Sequence, residues 1–204
     1  MRLQQNLVTM PDMAKRGSSG QSGKLRIISG RWRGRRFQCP PGEVTRPTGD
    51  RIRETLFNWL DPFITGSRCL DLFAGTGALG LEALSRGAAG VSFVDQDPRA
   101  VRQLEATLRQ WDCADAEVLK EDALHFLAGT PRPFDIIFLD PPFGVIDPGN
   151  LCTLLDNKWL THNAHIYIEM RRGDAMPELP PGWAVIRDKT AGQVQFMLVH
   201  RTGE

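Results

Sequence analysis

A glycine-rich turn, Ala74-Gly75-Thr76-Gly77-Ala78-Leu79-Gly80, restricts the possible folds of this chain more than any other segment. Residues 69–73 before it are strand-like, and the residues after it read as a helix that runs to Gly87. Glycines spaced as Gly-x-Gly-x-x-Gly at such a junction allow a tight turn and a close approach of the backbone to a nucleotide. The turn therefore predicts a site for a nucleoside-containing ligand at the carboxyl edge of a parallel sheet.

The rest of the chain alternates strand-like and helical segments, which predicts an α/β fold with a doubly wound, mostly parallel sheet. Further strand-like runs lie at residues 91–94, 118–119, 135–139 and 164–169. Asp97 is expected to cap the helix that starts at Pro98. The last two runs, 183–187 and 194–200, are joined by only six residues. They must pair antiparallel, because a parallel crossover needs a longer connection.

Three carboxylates follow or end the strands of this sheet, at the edge where ligands bind. Asp71 would attract the positive methionine end of S-adenosylmethionine and would repel a pyrophosphate. Asp95, 18 residues after Gly77, can accept both ribose hydroxyls. Asp122, beside Glu121, offers an acceptor for an adenine amino group. With the terminal hairpin, these residues favour S-adenosylmethionine over a dinucleotide, and a nicotinamide oxidoreductase is the rival interpretation.

A second motif, Asp140-Pro141-Pro142-Phe143, follows the apolar run 136–139, which is typical of a buried strand. The two prolines turn the chain out of the sheet in one conformation and leave carbonyl oxygens free to accept hydrogen bonds. A carboxylate, a carbonyl and an aromatic ring at this edge suit a flat base that carries an amino group. An ordinary Asp-Pro turn would also explain these four residues alone, and the upstream motifs on the same edge argue against it.

The net charge of +1 hides a strong asymmetry along the chain. Residues 1–58 contain twelve Lys and Arg against four Asp and Glu, whereas residues 59–204 contain thirteen against twenty. Residues 25–38 read as a basic hairpin with glycines at its corners and Trp32 near the tip. The candidate RNA-contacting residues of this hairpin are Arg31, Trp32, Arg33, Arg35 and Arg36. Clustered cations with an exposed ring are typical of nucleic-acid contact, and a solvated hairpin with Trp32 packed inward is the alternative.

An amphipathic helix is predicted after the hairpin, with Asp50 as its N-cap and Pro62 at its end. Arg46, Arg51 and Arg53 lie outside its apolar stripe, so they are either solvated or directed at a ligand. The expected organisation is a disordered leader (1–24), a basic hairpin and helix that contact RNA (25–65), and the main domain (66–204).

Composition narrows the class of protein further. No apolar run approaches the roughly 20 residues of a membrane span, and the first residues lack a signal-peptide pattern, so we expect no membrane association and a cytoplasmic protein. The four cysteines have no Cys-x-x-Cys spacing and the four histidines are scattered. We therefore expect reduced thiols and no metal site.

The motifs Asp71-x-Phe73-x-Gly75-x-Gly77, Asp95 and Asp140–Phe143, in this order, resemble the class I S-adenosylmethionine-dependent methyltransferases that act on exocyclic amines. More narrowly, the segments 26–30, 46–48, 51–60 and 191–194 resemble the RsmD family of bacterial 16S ribosomal RNA guanine-N2 methyltransferases. The resemblance implies a seven-stranded, Rossmann-like sheet with a reversed last strand. It also implies 16S rRNA or a 30S assembly particle as partner, with no obligate protein partner evident.

By this resemblance, the cofactor positions fall on Asp71, Phe73, Gly75, Gly77, Asp95 and Asp122, and the catalytic positions on Asp140, Pro141, Pro142 and Phe143. An amine methyltransferase of DNA and a non-catalytic RNA-binding module for ribosome assembly are the alternatives. The short chain leaves little room to read a duplex sequence. Binding alone would need neither Asp140 nor the glycine turn.

Overall fold

The computed structural model of the protein describes residues 24–38 and 47–202. The predicted leader, apart from Lys24, and the candidate RNA-contacting residue Arg46 lie outside the described residues. Lys24 itself begins the first strand, one residue before the expected boundary.

The described chain forms nine strands and five helices in the order ββαβαβαβαβαβββ. The strands are β1 Lys24–Arg26, β2 Arg36–Gln38, β3 Arg68–Asp71, β4 Gly90–Asp95, β5 Ala116–Lys120, β6 Phe134–Leu139, β7 Leu160–Arg171, β8 Trp183–Ala191 and β9 Val194–Arg201. The helices are α1 Pro47–Ile64, α2 Ala78–Ser85, α3 Pro98–Gln110, α4 Ala123–Ala128 and α5 Pro148–Asp156.

Seven of the strands form one sheet in the order β5-β4-β3-β6-β7-β9-β8. All neighbouring pairs from β5 to β7 are parallel, and β9 runs antiparallel to both β7 and β8. The predicted doubly wound sheet with a reversed last strand is therefore confirmed. The expected cap is also present, because the Asp97 carboxylate accepts a hydrogen bond from the Arg99 N–H at 2.8 Å.

Two apolar layers cover the sheet, one on each face. Helices α1, α2 and α3 pack on the face that carries Phe93, Phe138 and Tyr167. Helices α4 and α5 pack on the other face, around Ile137 and Ile166. Successive strand residues point to opposite faces, so these continuous apolar runs bury side chains in both layers.

Helix α1 is longer than predicted at both ends. It begins at Pro47 and Asp50 lies within its first turn, so the expected N-cap is wrong. Proline fits the first helical position because its φ is already helical. It also lacks an N–H, and an N–H at this position would have no hydrogen-bond acceptor within the helix. Pro62 lies inside the helix, which ends at Ile64. Near the carboxyl end the proline removes only one hydrogen bond of the last turn.

The β1–β2 hairpin is docked on the end of α2. Glu82 is fully buried, and its carboxylate accepts hydrogen bonds from the backbone N–H groups of Ile28 at 2.8 Å and Ser29 at 3.0 Å. Gly30 has a φ of +81° and passes so close that a Cβ there would lie 1.8 Å from the Ser85 carbonyl oxygen. That oxygen accepts a hydrogen bond from the Arg31 N–H at 2.7 Å. The hairpin is thus held against α2 by hydrogen bonds to Glu82 and to the Ser85 carbonyl.

Candidate active site

A cleft of about 750 Å³ opens at the carboxyl edge of the parallel strands. It is bordered by the segments that follow β3, β4, β5 and β6. The predicted site residues that line it are Asp71, Phe73, Gly75, Asp95, Asp122, Asp140 and Pro142. Residues from both sequence motifs therefore meet in a single concave site.

Within the glycine turn, the two predicted glycines differ in their surroundings. Gly75 lines the cleft with a φ of 50°, and its backbone faces the space where a ligand would lie. Gly77 has a φ of 76° and faces α3, where a Cβ would lie 2.5 Å from Leu104 Cδ1. Gly75 thus permits close approach to a ligand, whereas Gly77 permits close packing of the turn against a helix.

Asp71 ends β3 and is 2% exposed. Its carboxylate accepts a hydrogen bond from the Gly80 N–H at 3.0 Å. Burial raises the pKa of the Asp71 carboxyl to about 7, and the negative charge of Asp95 contributes in the same direction. A positively charged group bound beside Asp71 would stabilise the ionised carboxylate and lower this pKa.

Asp95 and Asp122 are both fixed by backbone donors. The two oxygens of Asp95 accept hydrogen bonds from the N–H groups of Gly75 and Asp97, each at 2.7 Å. Asp122 caps α4, and its Oδ1 accepts hydrogen bonds from the N–H groups of Leu124 and His125. The cap uses one oxygen of Asp122, so the carboxylate orientation is set by the helix that it begins.

The Asp140–Phe143 motif follows the fully buried end of β6 at Leu139. Asp140 is exposed at the cleft, Pro141 is buried, and the Phe143 ring is 38% exposed. Pro141 and Phe143 do not line the main cleft but line a smaller adjoining pocket of about 310 Å³. The motif therefore separates two cavities at the sheet edge.

The sequence interpretation missed a carboxylate in the smaller pocket. Glu169 lies near the end of β7, and its Oε2 accepts a hydrogen bond from the hydroxyl of the fully buried Tyr167 at 2.7 Å. Burial raises the pKa of the Glu169 carboxyl, and the hydrogen bond from Tyr167 opposes that rise. A charged residue that ends the apolar run 164–168 was the signal available in the sequence.

Other missed residues line the main cleft around the predicted ones. They come from the glycine turn and from the segments after β4, β5 and β6, and they include Thr76, Gln96, Leu124, Val145 and Ile146. Each follows a predicted site residue by a few positions, so the strand-end rule could have located them.

Two of the candidate RNA-contacting residues are buried, contrary to the sequence prediction. Trp32 is 7% exposed, and its ring centroid lies 4.8 Å from that of Trp111. It packs inward because the hairpin corner lies against the ends of α2 and α3. Arg53 is 4% exposed and donates hydrogen bonds to Asp50 at 2.8 Å and to the Arg26 carbonyl at 2.9 Å. Arg53 joins α1 to β1 and is neither solvated nor directed outward.

The remaining described candidates are exposed. The Arg31 guanidinium lies over the Trp32 ring at 4.2 Å and 3.5 Å from Asp115. Arg35 lies 5.7 Å from the centroid of the Trp111 ring. Arg33, Arg36 and Arg51 also have exposed side chains. The hairpin thus presents cations to solvent and its aromatic ring to the core.

Within residues 24–38 and 47–202, no group of three or more His, Cys, Asp or Glu side chains could hold a metal ion. None of the helices in the same ranges is long and apolar enough to cross a membrane.

The reversed β9, the glycine turn and the strand-end carboxylates together define a Rossmann-like methyltransferase. The family model described as Conserved hypothetical protein 95 matches residues 25–200. Ribosomal RNA small subunit methyltransferase D of Escherichia coli is 45% identical over 194 residues, which cover 94% of this chain and 97% of that protein. The chain belongs to the ribosomal RNA small subunit methyltransferase D family.

Two further relatives agree with this assignment. Ribosomal RNA small subunit methyltransferase D of Haemophilus influenzae is 42% identical over 191 residues, which cover 91% of this chain and 98% of that protein. The solved structure of the Escherichia coli protein yhhF is 44% identical and superimposes with a TM-score of 0.82, covering 89% of this chain and 100% of that one.

Proposed function

We propose that this protein transfers a methyl group from S-adenosylmethionine to the exocyclic N2 amine of a guanine in 16S rRNA, within an assembling small ribosomal subunit. The observation that carries the proposal is the position of Asp140. Its carboxylate lines the same cleft as Asp71 and Asp95, so an amine acceptor and a nucleoside-binding site meet at one edge of the sheet. The names of the relatives, which are small-subunit rRNA methyltransferases, support the choice of RNA.

The cleft residues fit the three parts of the cofactor. The buried Asp71 suits the methionine ammonium group, because an ionised carboxylate of low exposure attracts a cation strongly. Asp95, whose two oxygens are fixed by backbone N–H groups, would accept hydrogen bonds from the ribose hydroxyls. Asp122 and Leu124 border the region expected for the adenine ring. When bound, S-adenosylmethionine supplies a methyl group that its positive sulfur already makes electrophilic.

The protein must make the guanine amine nucleophilic, because the lone pair of an aromatic amine is delocalised into the ring. The Asp140 carboxylate and the Pro141 carbonyl would accept the two amine hydrogens, which localises the lone pair on nitrogen and directs it toward the methyl group. Asp140 can then accept the proton that the nitrogen releases. The partly exposed Phe143 ring would stack on the base after it leaves its helix.

The orientation of α1 supports RNA binding beside the cleft. Phe63 stacks on His165 near the start of the parallel part of β7, and Trp59 stacks on Phe196 beside its end. Helix α1 therefore runs opposite to β7, and its first turns, with the exposed Arg51, lie toward the cleft edge. Exposed arginines on α1 and the hairpin would bind the phosphate backbone and position the target nucleotide.

The direct test uses S-adenosylmethionine with a labelled methyl group and 30S particles from cells that lack this enzyme. After the reaction, the RNA is digested to nucleosides and the labelled nucleoside is identified. We expect N2-methylguanosine in the 16S rRNA. Label in N6-methyladenosine, or no label in either the 30S particles or naked 16S rRNA, would contradict the proposal. Naked 16S rRNA tested in parallel shows whether the assembling particle is the substrate.

A further inference from the structure

The smaller pocket of about 310 Å³ is placed to hold the acceptor base. It shares Pro142, Val145 and Ile146 with the main cleft, so the Asp140–Phe143 motif lies between the two cavities. A base in the smaller pocket would extend its amine past Pro142 to Asp140 in the main cleft, where the nitrogen meets the donor methyl group directly. The side chains that line the smaller pocket can therefore read which base is bound.

Glu169 lies beside the catalytic motif at the edge of this pocket. Leu139 of β6 is the register partner of Ile168 of β7, so the next residues, Asp140 and Glu169, follow on neighbouring parallel strands. Such strands are about 4.8 Å apart. Burial raises the pKa of Tyr167, which donates a hydrogen bond to Glu169, and the negative charges of Glu169 and Asp140 contribute in the same direction. Asp140 lines the main cleft and Glu169 lines the smaller pocket, so the two carboxylates lie on neighbouring strand ends, one beside each cavity.

Tyr167 fixes the orientation of Glu169. Its ring is fully buried between the sheet and α1, and its hydroxyl donates a hydrogen bond to Glu169 Oε2 at 2.7 Å. With one oxygen held in this way, the Glu169 carboxylate has a fixed orientation. A preorganised acceptor can distinguish donors from acceptors on a ligand.

We propose that Glu169 selects guanine by accepting the N1–H of the base whose N2 amine is held by Asp140. This inference rests on the proposed function and deepens it. Among the amine-bearing bases of RNA, guanine is the one with a ring N–H beside its amine, whereas adenine and cytosine have a ring-nitrogen lone pair there. A carboxylate facing that lone pair would be repelled and would lose its hydrogen bond. Asp140 selects for an amine, and Glu169 selects the base that carries it.

The test compares guanine with 2-aminopurine, which keeps the 2-amino group but has a lone pair on N1. After the methylated nucleotide has been mapped with the wild-type enzyme, a 16S rRNA with 2-aminopurine at that position is assembled into particles. We expect the wild-type kcat/KM to be about 100-fold lower on 2-aminopurine than on guanine. The Glu169→Gln variant can keep the hydrogen bond from Tyr167 and turn its amide N–H toward N1. Its preference for guanine should therefore fall at least about tenfold.

The controls separate base selection from other roles. Glu178→Gln, at an exposed carboxylate outside the pocket, should keep the wild-type preference. Tyr167→Phe keeps the Glu169 carboxylate but removes the hydrogen bond that orients it. This variant should lower the preference for guanine by about threefold to fivefold.

An unchanged preference for guanine in Glu169→Gln, or an equal loss of activity on both bases with full cofactor binding, would overturn the role of Glu169. If Glu169→Gln does not fold, an unchanged preference in Tyr167→Phe would overturn it. Failure of the proposed function is distinct, because the wild-type enzyme would then form no N2-methylguanosine.

Discussion

The Oδ2 atom of Asp95 accepts a hydrogen bond from the Gly75 N–H at 2.7 Å, which ties the carboxyl end of β4 to the glycine turn after β3. The other oxygen accepts from the Asp97 N–H at 2.7 Å. One carboxylate therefore holds together two of the loops that form the main cleft.

The Asp95→Asn variant should bind S-adenosylmethionine about 10-fold to 100-fold more weakly, because an amide cannot replace both acceptor oxygens of the carboxylate. Calorimetric titration measures this change. The matched control is Asp112→Asn, at an exposed position with a φ of 49° that asparagine tolerates. Equal affinities for the two variants would show that Asp95 does not contact the cofactor.

The pH dependence of cofactor binding should report the ionisation of Asp71. Burial raises the pKa of its carboxyl to about 7, so the group is largely protonated below that pH and largely ionised above it. Because a bound ammonium group requires the ionised carboxylate, affinity for S-adenosylmethionine should strengthen as the pH rises from 6 to 8, by about tenfold. The Asp71→Asn variant should bind weakly with little pH dependence. Affinity that weakens over this range in the wild-type protein would contradict the assignment.

Two glycines of the basic hairpin provide a test of its docking. Gly30 and Gly34 have nearly equal φ values of +81° and +82°, so alanine at either position pays the same backbone cost. A Cβ at Gly30 would also collide with the Ser85 carbonyl, whereas a Cβ at Gly34 meets no atom of the described residues within 4 Å. Gly30→Ala should therefore lower the free energy of unfolding by about 2 kcal/mol more than Gly34→Ala. In thermal unfolding, the Tm of Gly30→Ala should be about 4–8 °C lower than the Tm of Gly34→Ala. Equal Tm values would mean that the hairpin is not fixed against α2.

The exposed hairpin arginines should contribute sequence-independent affinity for RNA. Replacement of Arg33 and Arg36 by Ala should weaken binding to the particle and reduce the slope of log affinity against log salt by about 1–2. Binding measured between about 50 and 200 mM salt gives this slope. The control replaces Arg102 and Arg109, which are exposed on α3. If the salt-dependence slope changes equally in both double variants, the hairpin arginines contribute no more to RNA binding than the arginines on α3.

Local patterns in the sequence were sufficient to predict most of the fold. Strand and helix alternation, the Asp97 cap and the short β8–β9 connection are local signals, and each predicted element is present. The strand-end rule also placed the predicted carboxylates at one edge, because parallel strands bring their carboxyl ends together. These features can be predicted without knowing which residues distant in the sequence are in contact.

The sequence interpretation failed where packing between distant segments decides the outcome. Trp32 is 79 positions from Trp111, and only the docked hairpin brings the two rings to 4.8 Å. Glu82 of α2 is fully buried because its carboxylate accepts hydrogen bonds from the hairpin backbone. The helical pattern of the sequence does not reveal this contact. Glu169 was overlooked for a similar reason, since its proposed role depends on the neighbouring strand β6, which Asp140 follows.

In the proposed mechanism, Asp140 acts on the acceptor amine and not on the cofactor. Cofactor affinity and single-turnover methylation of 30S particles should be measured together for the wild-type protein, Asp140→Asn and Asp140→Ala. We expect both variants to bind S-adenosylmethionine within about threefold of the wild type, while the methylation rate falls by at least about 1,000-fold. Loss of cofactor binding and of methylation in equal measure, or a nearly unchanged rate in Asp140→Ala, would contradict this account.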